Sequence, residues 1–251
     1  MTGLVWLCRR ETLRVSKLWT QTVLAPVISS ILFILVFGLS LGGRIDQVGG
    51  VDYEVFIVPG LITMGMVQAA YANTASSIFQ ARFDRYINDV LSAPMPTWQM
   101  NVGYVVGGVF RALMIGISLL VLAALLVNVP VERPFALVTA IGLGLLLFAS
   151  LGVVVGIYAE IWDFTTFINN IVILPLVFVG GVFYSVEVLP SPWEELSHFN
   201  PVFYLVNAVR FGFLGESDVS IWLSLGVTAA LAIPVFLWAQ HLFASGRRLK
   251  P

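Results

Sequence analysis

The sequence predicts an all-α membrane protein with six transmembrane helices, an interfacial amphipathic helix at the N-terminus and a re-entrant helical pair before the last span. Three observations lead to this fold class. Of the 251 residues, 59% are hydrophobic and only 11% are charged, whereas a soluble domain carries about 25% charged residues. Six apolar runs are each close to the roughly 20 residues that a helix needs to cross a bilayer. A further apolar stretch, 178–214, is interrupted by glycine and proline.

The first predicted element is a basic helix over residues 2–19 that lies on the membrane surface. When the residues are placed at about 100° intervals, one face is apolar and the other is basic. The apolar face holds Leu4, Cys8, Val15, Leu18 and Trp19, and the basic face holds Arg9, Arg10, Arg14 and Lys17. Leu7 and Leu13 do not fit this division. The alternative is that these charges orient the chain and have no further role.

The six predicted spans follow, and the charges beside them predict the orientation. The apolar runs cover about 21–41, 54–77, 104–127, 134–158, 165–184 and 219–243. An even number of spans places both termini on one side, and the positive-inside rule makes that side cytoplasmic. The inside residues are Arg9, Arg10, Arg14, Lys17, Arg82, Arg85, Arg247, Arg248 and Lys250, against Arg44, Arg133 and Arg210 outside. The pairs Gly103/Gly107 and Gly152/Gly156 predict close helix packing.

The segment after the second span predicts a cytoplasmic amphipathic helix over residues 79–91. Its apolar residues recur at helical spacing, its polar residues lie opposite, and Pro94 and Pro96 end it. The apolar face holds Phe79, Phe83, Tyr86, Ile87 and Val90, and the polar face holds Asp84, Arg85 and Asn88. Two interpretations stay open: a connector resting on the lipid headgroups, or a coupling helix that inserts into a groove of a cytoplasmic partner.

The stretch before the last span predicts two half-depth helices at the outer end. Gly180-Gly181 and the following prolines interrupt a helix, because glycine loosens the backbone and proline removes a donor. The flanking runs, Phe178–Tyr184 and Phe203–Leu214, are each too short to cross a bilayer. We therefore expect them to enter the outer leaflet and return, which a membrane tolerates only where protein or a water-lined path surrounds the backbone.

Three charged residues near the spans have two interpretations each. Arg111 is predicted to lie about two turns inside the third span. Its guanidinium either reaches up to the headgroups or faces inward toward an acidic partner. Glu160 and Asp163 form the short cytoplasmic turn between spans four and five, as a second partner contact or as solvated turn residues.

The residue inventory argues against catalysis by this chain. No Gly-Lys pair occurs, so the sequence has no P-loop for ATP hydrolysis. Cys8 is the only cysteine, and His198 and His241 fall on opposite sides of the predicted membrane, so no metal site is expected. Two rival functions remain: a self-sufficient ion-coupled secondary transporter, which needs titratable groups at mid-membrane, and a membrane-embedded hydrolase, whose site residues are missing.

The ordered set Gly180-x-Val182, Leu189-Pro190, Pro201-Val202-Phe203-Tyr204 and Arg210 resembles the signature of the ABC-2 family of exporter permeases. The resemblance covers essentially the whole chain, with Val202 where the family more often has a bulkier residue. It implies a single transmembrane domain over residues 1–251 in a bacterial inner (plasma) membrane. Below, the signature residues are those to which the resemblance assigns an outer gate: Gly180, Gly181, Leu189, Pro190, Pro201, Tyr204 and Arg210.

The resemblance also implies a partner and a mechanism. Two such permeases, expected as a homodimer, would work with two copies of a separate ATPase that binds ATP and Mg, and this chain would bind no cofactor itself. The family often has paired acidic residues in the coupling segment, of which only Asp89 is present here. The expected ATPase-coupling residues are Phe79, Arg82, Phe83, Asp84, Arg85, Tyr86, Ile87, Asp89, Glu160 and Asp163. Aromatic residues in 178–214 favour an apolar or amphipathic cargo such as a drug, a lipid or a lipid-linked glycan.

Overall fold

The structure is a computed structural model that describes residues 2–41, 47–48, 50–186, 189–246 and 248–249. Helices α1 (Thr2–Lys17) and α2 (Ala25–Leu41) are joined through a π-helical segment, π1 (Thr20–Leu24). A two-residue antiparallel pair, β1 (Gln47–Val48) and β2 (Val51–Asp52), pairs Gln47 with Asp52 and precedes α3 (Tyr53–Phe83). The remaining elements are α4 (Ile87–Ser92), α5 (Thr97–Leu126), α6 (Pro134–Tyr158), α7 (Trp162–Phe167), π2 (Ile168–Ile173), α8 (Leu174–Val179), α9 (Trp193–His198), α10 (Pro201–Leu214) and α11 (Ile221–Ser245).

Five helical stretches in the described part of the chain are long and apolar enough to cross a membrane. They are Tyr53–Phe83, Thr97–Leu126, Pro134–Tyr158, Trp162–Val179 and Ile221–Ser245. The predicted count of six is not confirmed, because the expected first span corresponds to π1 and the 17-residue α2. The predicted outside charge Arg44 and the terminal Arg247 and Lys250 lie outside the described residues.

Helix α3 forms the centre of the bundle because glycines on two neighbours let them approach it closely. A Cβ added at Gly108 of α5 would lie 2.7 Å from Thr74 Cγ2, and one at Gly156 of α6 would lie 2.8 Å from the Ala75 carbonyl oxygen. A Cβ at Gly152 would overlap Thr74. The Thr74 hydroxyl donates to the Ala149 carbonyl at 2.8 Å. The close packing predicted from Gly152/Gly156 is thus present, and it sets α6 against α3.

Helix α1 packs on α5 through a face that the sequence did not predict. Leu7, Glu11 and Val15 are its buried residues. A Cβ at Gly103 would lie 2.5 Å from Leu7 Cδ2, and one at Gly107 would lie 2.7 Å from Glu11 Cβ. Of the predicted apolar face, Val15 is buried, whereas Leu18 and Trp19 are exposed. Because Gly103 and Gly107 have no side chains, they leave a groove on α5, and Leu7 packs into it.

The predicted helix over residues 79–91 is wrong as a single element. Helix α3 continues to Phe83, and α4 begins only at Ile87. Between them the backbone turns: the Asp84 amide donates to the Gln80 carbonyl at 2.9 Å, and Arg85 has a φ of 64°. A left-handed residue cannot continue an α-helix. This break changes which of the predicted coupling residues share a surface.

Of the two half-depth helices predicted before α11, only the second is present as a helix, and the re-entrant pair is not confirmed. Helix α8 ends at Val179, and Gly180–Tyr184 form turns instead of the predicted first half-helix. Helix α10 agrees with the second. It runs against α6, with Gly212 beside Leu137 and Leu205 beside Gly144. Leu205 therefore lies deeper along α6 than Gly212 does. Glu187 and Val188 lie outside the described residues.

Candidate transport and coupling sites

The helix ends define two ends of the molecule. We call the end that carries Phe83 and Trp162 the coupling end, because it holds most of the predicted ATPase-coupling residues. Phe79 contacts Trp162 there, with ring centroids 5.6 Å apart. The opposite end, which carries Tyr53 and Gly180, is the gate end. There the Tyr53 hydroxyl donates to the Phe183 carbonyl at 3.1 Å.

The glycine pair of the signature makes a tight turn against two helices. Gly181 has a φ of 79°, which favours glycine. A Cβ added at Gly180 would lie 3.0 Å from the Leu176 carbonyl oxygen. On α3, a Cβ at Gly60 would lie 2.6 Å from the Val182 carbonyl oxygen. The chain after α8 therefore packs closely on α3 at Gly60, and a larger residue at Gly60 would require the backbone at Val182 to shift.

Arg210 of α10 reaches this turn from within the bundle. Its guanidinium is buried, donates to the Gly181 carbonyl at 2.5 Å, and lies 3.8 Å from an Asp218 carboxylate oxygen. It also lies 4.0 Å from the centroid of the Phe56 ring, a cation–π contact with α3. The structure thus brings together three signature residues, Gly180, Gly181 and Arg210. The Arg210 guanidinium contacts the Gly181 turn, Asp218 and α3.

An amide and a carboxylate that the sequence analysis missed complete this cluster. Asn207 lies one turn before Arg210 on α10, and its side-chain oxygen accepts from the Asp218 amide at 2.8 Å. Its nitrogen donates to the Ser224 hydroxyl of α11 at 2.8 Å. Asp218 in turn accepts from the Val186 amide at 3.2 Å. The sequence did offer a signal for this carboxylate, because Asp218 is an acidic residue in the short loop between Gly215 and α11.

The remaining signature residues shape the entry to α10 and do not join the Arg210 cluster. Pro201 is the first residue of α10, and the Asn200 side chain caps that helix by accepting from the Val202 amide at 3.0 Å. The Tyr204 hydroxyl donates to the His198 carbonyl at 2.9 Å. Leu189 and Pro190 lie in the turn before α9, where the Trp193 amide donates to the Pro190 carbonyl at 3.0 Å.

The predicted coupling residues divide into an exposed set and a buried set. Phe83 is 74% exposed and stacks on Phe79 with centroids 5.9 Å apart. Trp162 and Ile161 are exposed beside them. We call Phe83, Ile161 and Trp162, together with the buried Phe79 beneath them, the coupling-end patch. Asp84, Arg85, Asp89, Glu160 and Asp163 are also exposed.

Three of the predicted coupling residues pack inside the coupling end: Ile87, Tyr86 and Arg82. Ile87 is fully buried, so it cannot present its side chain to a partner. Tyr86 lies against Arg10, whose guanidinium is 5.3 Å from its ring, and burial raises the pKa of the Tyr86 phenol. Arg82 donates to the Gly156 and Ala159 carbonyls at 3.1 and 2.8 Å, which attaches the end of α3 to the end of α6.

A buried carboxylate that the sequence analysis missed fastens α1 to this end. Glu11 is 1% exposed and accepts from Arg10 at 2.8 Å and from the Ser77 hydroxyl of α3 at 2.7 Å. Arg14 lies 3.3 Å from the same carboxylate and donates to the Asn73 side-chain oxygen at 3.0 Å. Glu11 is the only acidic residue in α1, and it lies midway between Leu7 and Val15 at helical spacing, a signal present in the sequence.

Arg111 lies further from the start of its helix than predicted, because α5 starts at Thr97 and not near residue 104. About 21 Å of helix separates it from the start of α5. Its side chain lines a cleft of about 360 Å³ between π1, α2, α3, α5 and π2. The cleft is lined by Gln21, Ala25, Pro26, Ser29, Phe33, Leu61, Met64, Gly65, Gln68, Ala69, Ala72, Arg111, Ile115 and Asn169. Arg111 thus lines a cleft between helices.

Among the residues that the structure describes, no group of three histidine, cysteine or carboxylate side chains could hold a metal ion. The charged clusters at both ends join helices to one another. These arrangements indicate a helical membrane protein with an apolar patch at one end and a cleft between helices that Arg111 lines.

Comparison with known proteins agrees with this architecture. The model of the ABC-2 type transporter family matches residues 2–214, and the chain belongs to that family. It is 38% identical to the inner membrane transport permease YadH of Escherichia coli K12 over 96% of this chain and 94% of that protein. It is 26% identical to nodulation protein J of Rhizobium leguminosarum bv. viciae, again over 96% and 94%. The protein is therefore a multi-pass membrane permease of a transport family whose permeases generally pair with ABC ATPase subunits.

Proposed function

We propose that this chain is the membrane-spanning subunit of an ATP-driven exporter that moves apolar or amphipathic cargo out of the cytoplasm. Two copies, with both termini in the cytoplasm, would enclose a path above two copies of a separate ATPase. ATP and Mg would bind to that partner, and this chain would supply the path and the docking surface. The signature residues at the gate end would cap the path.

The observation that carries this proposal is the coupling-end patch. Large aromatic side chains exposed together are the usual anchors of a protein interface. Phe83 stacks on Phe79, which in turn contacts Trp162, so the aromatic rings of the patch form one continuous surface. Exposed acidic residues, Asp84, Glu160 and Asp163, surround it and suit a basic rim on the partner.

The structure also offers a route from that patch to the spans. Arg82, one residue before Phe83, bonds the end of α6, while the Glu11 cluster joins α1 to α3. A force applied at the patch would therefore move α1, α3 and α6 together. Such coupling through rigid elements is what an ATPase-driven change of the path requires.

The test is Phe83→Ala in cells that express the ATPase. Truncating an anchoring aromatic costs about 2 kcal/mol or more, or roughly 30-fold in affinity. We expect normal abundance of the permease, weaker co-purification of the ATPase and slower transport-stimulated ATP hydrolysis. Because Ile87 is buried, a combined Phe83/Ile87 substitution would damage the core and is not informative.

The matched control is Phe135→Ala, which removes a side chain that is 90% exposed at the start of α6, the opposite end of that helix from Tyr158. Its ATPase co-purification is expected to equal that of the unmodified chain. If Phe83→Ala retains the ATPase fully and transports normally, the coupling-end patch is not the docking surface. Transport without any ATPase would favour the ion-coupled secondary transporter.

A further inference from the structure

The end of the chain folds back beside α6 and forms a pocket at the coupling end. Helix α11 ends at Ser245, Gly246 turns the chain with a φ of 63°, and Leu249 is fully buried. Because Leu249 anchors the tail, Arg248 is held 5.0 Å from the centroid of the Tyr158 ring at the end of α6. The pocket between them, which we call the tail pocket, has a volume of about 450 Å³. It is lined by Tyr158, Trp238, His241, Leu242, Ser245 and Arg248.

The charge of the tail pocket is positive. Arg248 supplies a guanidinium and His241 an imidazole, and no aspartate or glutamate belongs to the described lining. Within the part of the chain that the structure describes, no carboxylate forms an ion pair with Arg248. Arg82 at the end of α3 is close enough to Arg248 for the two cations to repel each other, and Glu160 attracts Arg82 without forming an ion pair with it. The guanidinium of Arg248 is therefore available to an anion from outside the chain.

An apolar stripe leads from the tail pocket along the membrane-spanning part of α11. Its residues are spaced by three and four positions, so they share one face of the helix, and all of them are exposed. They are Leu231, Pro234, Trp238, His241 and Ser245. The Trp238 and Tyr158 rings lie 6.1 Å apart, about two turns before the end of α11. Tryptophan and tyrosine are enriched where lipid head groups meet acyl chains, so the stripe passes from apolar to polar as the membrane does.

From this arrangement we propose that the tail pocket binds the anionic head group of a phospholipid in the membrane leaflet at the coupling end. The Arg248 guanidinium pairs with the phosphate, His241 donates to it, and an acyl chain lies along Trp238 and Leu231. Arginine suits this role because its forked donors match the oxygens of a phosphate. Basic pockets between membrane helices bind lipid head groups in this way.

The size of the tail pocket agrees with this ligand. About 450 Å³ lies in the range of small-molecule sites and accepts a phosphoglycerol head group. The lipid stays bound beside the spans and is not cargo. The inference therefore goes beyond the proposed function and does not depend on it.

The test is native mass spectrometry of the full-length permease purified in detergent. The probes are phosphatidylglycerol and phosphatidylcholine with identical acyl chains, so that only the head groups differ. We expect the first phosphatidylglycerol to bind at least about fivefold tighter than the first phosphatidylcholine, because Arg248 attracts the anionic head group and repels the choline cation. Equal affinities for the two lipids would overturn the proposal.

Substitutions assign the preference to Arg248. Arg248→Gln should reduce it to less than about twofold, and Arg248→Lys should retain part of it, since lysine keeps the charge without the forked donors. The matched control is Arg9→Gln, which removes an exposed arginine that lies 5.1 Å from the Trp6 ring, outside the tail pocket. Full preference in Arg248→Gln would overturn the proposal. An equal loss in Arg9→Gln would do the same, because it would assign the preference to the basic surface as a whole.

Leu249→Ala tests the anchoring of the tail while every charge is retained. Without the buried side chain, Arg248 is no longer held beside Tyr158, so the preference for phosphatidylglycerol should fall. An undiminished preference would contradict a pocket that is formed by the folded tail.

Two further arms separate the source of the phosphate and the proposed function. Glycerol phosphate in large excess supplies the head group without the chains, and it should displace little phosphatidylglycerol, because it cannot contact Trp238 and Leu231. Complete displacement would assign the pocket to a soluble anion and overturn the lipid. Phe83→Ala, which tests ATPase docking, should keep the full lipid preference, and the permease is measured alone. Failure of one proposal is therefore distinguishable from failure of the other.

Discussion

Buried charged side chains at both ends of the molecule hold helices together rather than carry out chemistry. Glu11 joins α1 to α3 at the coupling end through Ser77. Arg210 joins α10 to the Gly181 turn and to Asp218 at the gate end. At the first of these, Arg10 is buried enough to disfavour its charge, yet Tyr104 and Glu11 raise its pKa above the ordinary arginine value. Each cluster pairs its charges, as burial demands.

Glu11→Ala should lower the stability of the permease by at least about 2 kcal/mol, since a single hydrogen bond to a charged group contributes about 1.5–3 kcal/mol. The change leaves Arg10, Arg14 and the Ser77 hydroxyl without their shared acceptor. Thermal unfolding of the purified protein in detergent measures the effect. Glu195→Ala, at an exposed position of α9, is the control. An equal melting temperature for the two variants would contradict the role of Glu11.

At the scale of elements, glycine positions decide which helices touch. Gly103 and Gly107 lie one turn apart on α5 and receive Leu7 and Glu11 of α1. Gly152 and Gly156 do the same for α3 on α6. The groove on α5 explains why α1 turns Leu7 inward and leaves Trp19 exposed. Helix α1 is therefore a packed part of the bundle along one face.

Gly103→Ala should destabilise the contact of α1 with α5, because the new Cβ would lie 2.5 Å from Leu7 Cδ2. Overpacking of this kind costs about 1–3 kcal/mol. Leu7→Ala in the same chain should restore much of the loss, which a double-mutant cycle of melting temperatures detects. Gly142→Ala is the matched control, since nothing lies within 4 Å of its added Cβ. That variant should be neutral or more stable, and a cycle without coupling would disprove the contact.

At the scale of the whole molecule, the orientation of the chain in the membrane depends on whether α10 crosses the membrane. Helix α10 and α6 lie side by side, and the Arg133 amide donates to the Gly212 carbonyl at 3.0 Å. The end of α10 therefore lies beside the start of α6, at the gate end. If the chain from α8 to α11 returns without crossing, the loops before α9 and after α10 face the same side of the membrane.

With Cys8 replaced by serine, single cysteines at Ser191 and Glu216 should both react with an impermeant thiol reagent added to intact cells. Both positions are exposed. Cysteines at Asn88 and Ser245 should react only after the membrane is permeabilised, because the basic termini and the Arg82–Arg85 loop are expected inside. Labelling of Ser191 and Glu216 from opposite sides would show that α10 crosses, and a fully reversed pattern would overturn the orientation.

The sequence by itself determined the class of the protein, most of its spans and the break in the helix at Gly180-Gly181. Long apolar runs and helix-breaking glycines are local properties of the sequence, so most spans and the break at Gly180-Gly181 could be found without tertiary information. Only the tertiary structure decided the break at Arg85, the burial of Ile87 and Glu11, and the cleft around Arg111. Each depends on residues far along the chain, such as Ser77 for Glu11 and Asn169 for Arg111. A helical pattern gives the spacing of side chains around one axis, but the neighbouring helices decide which of its faces is buried.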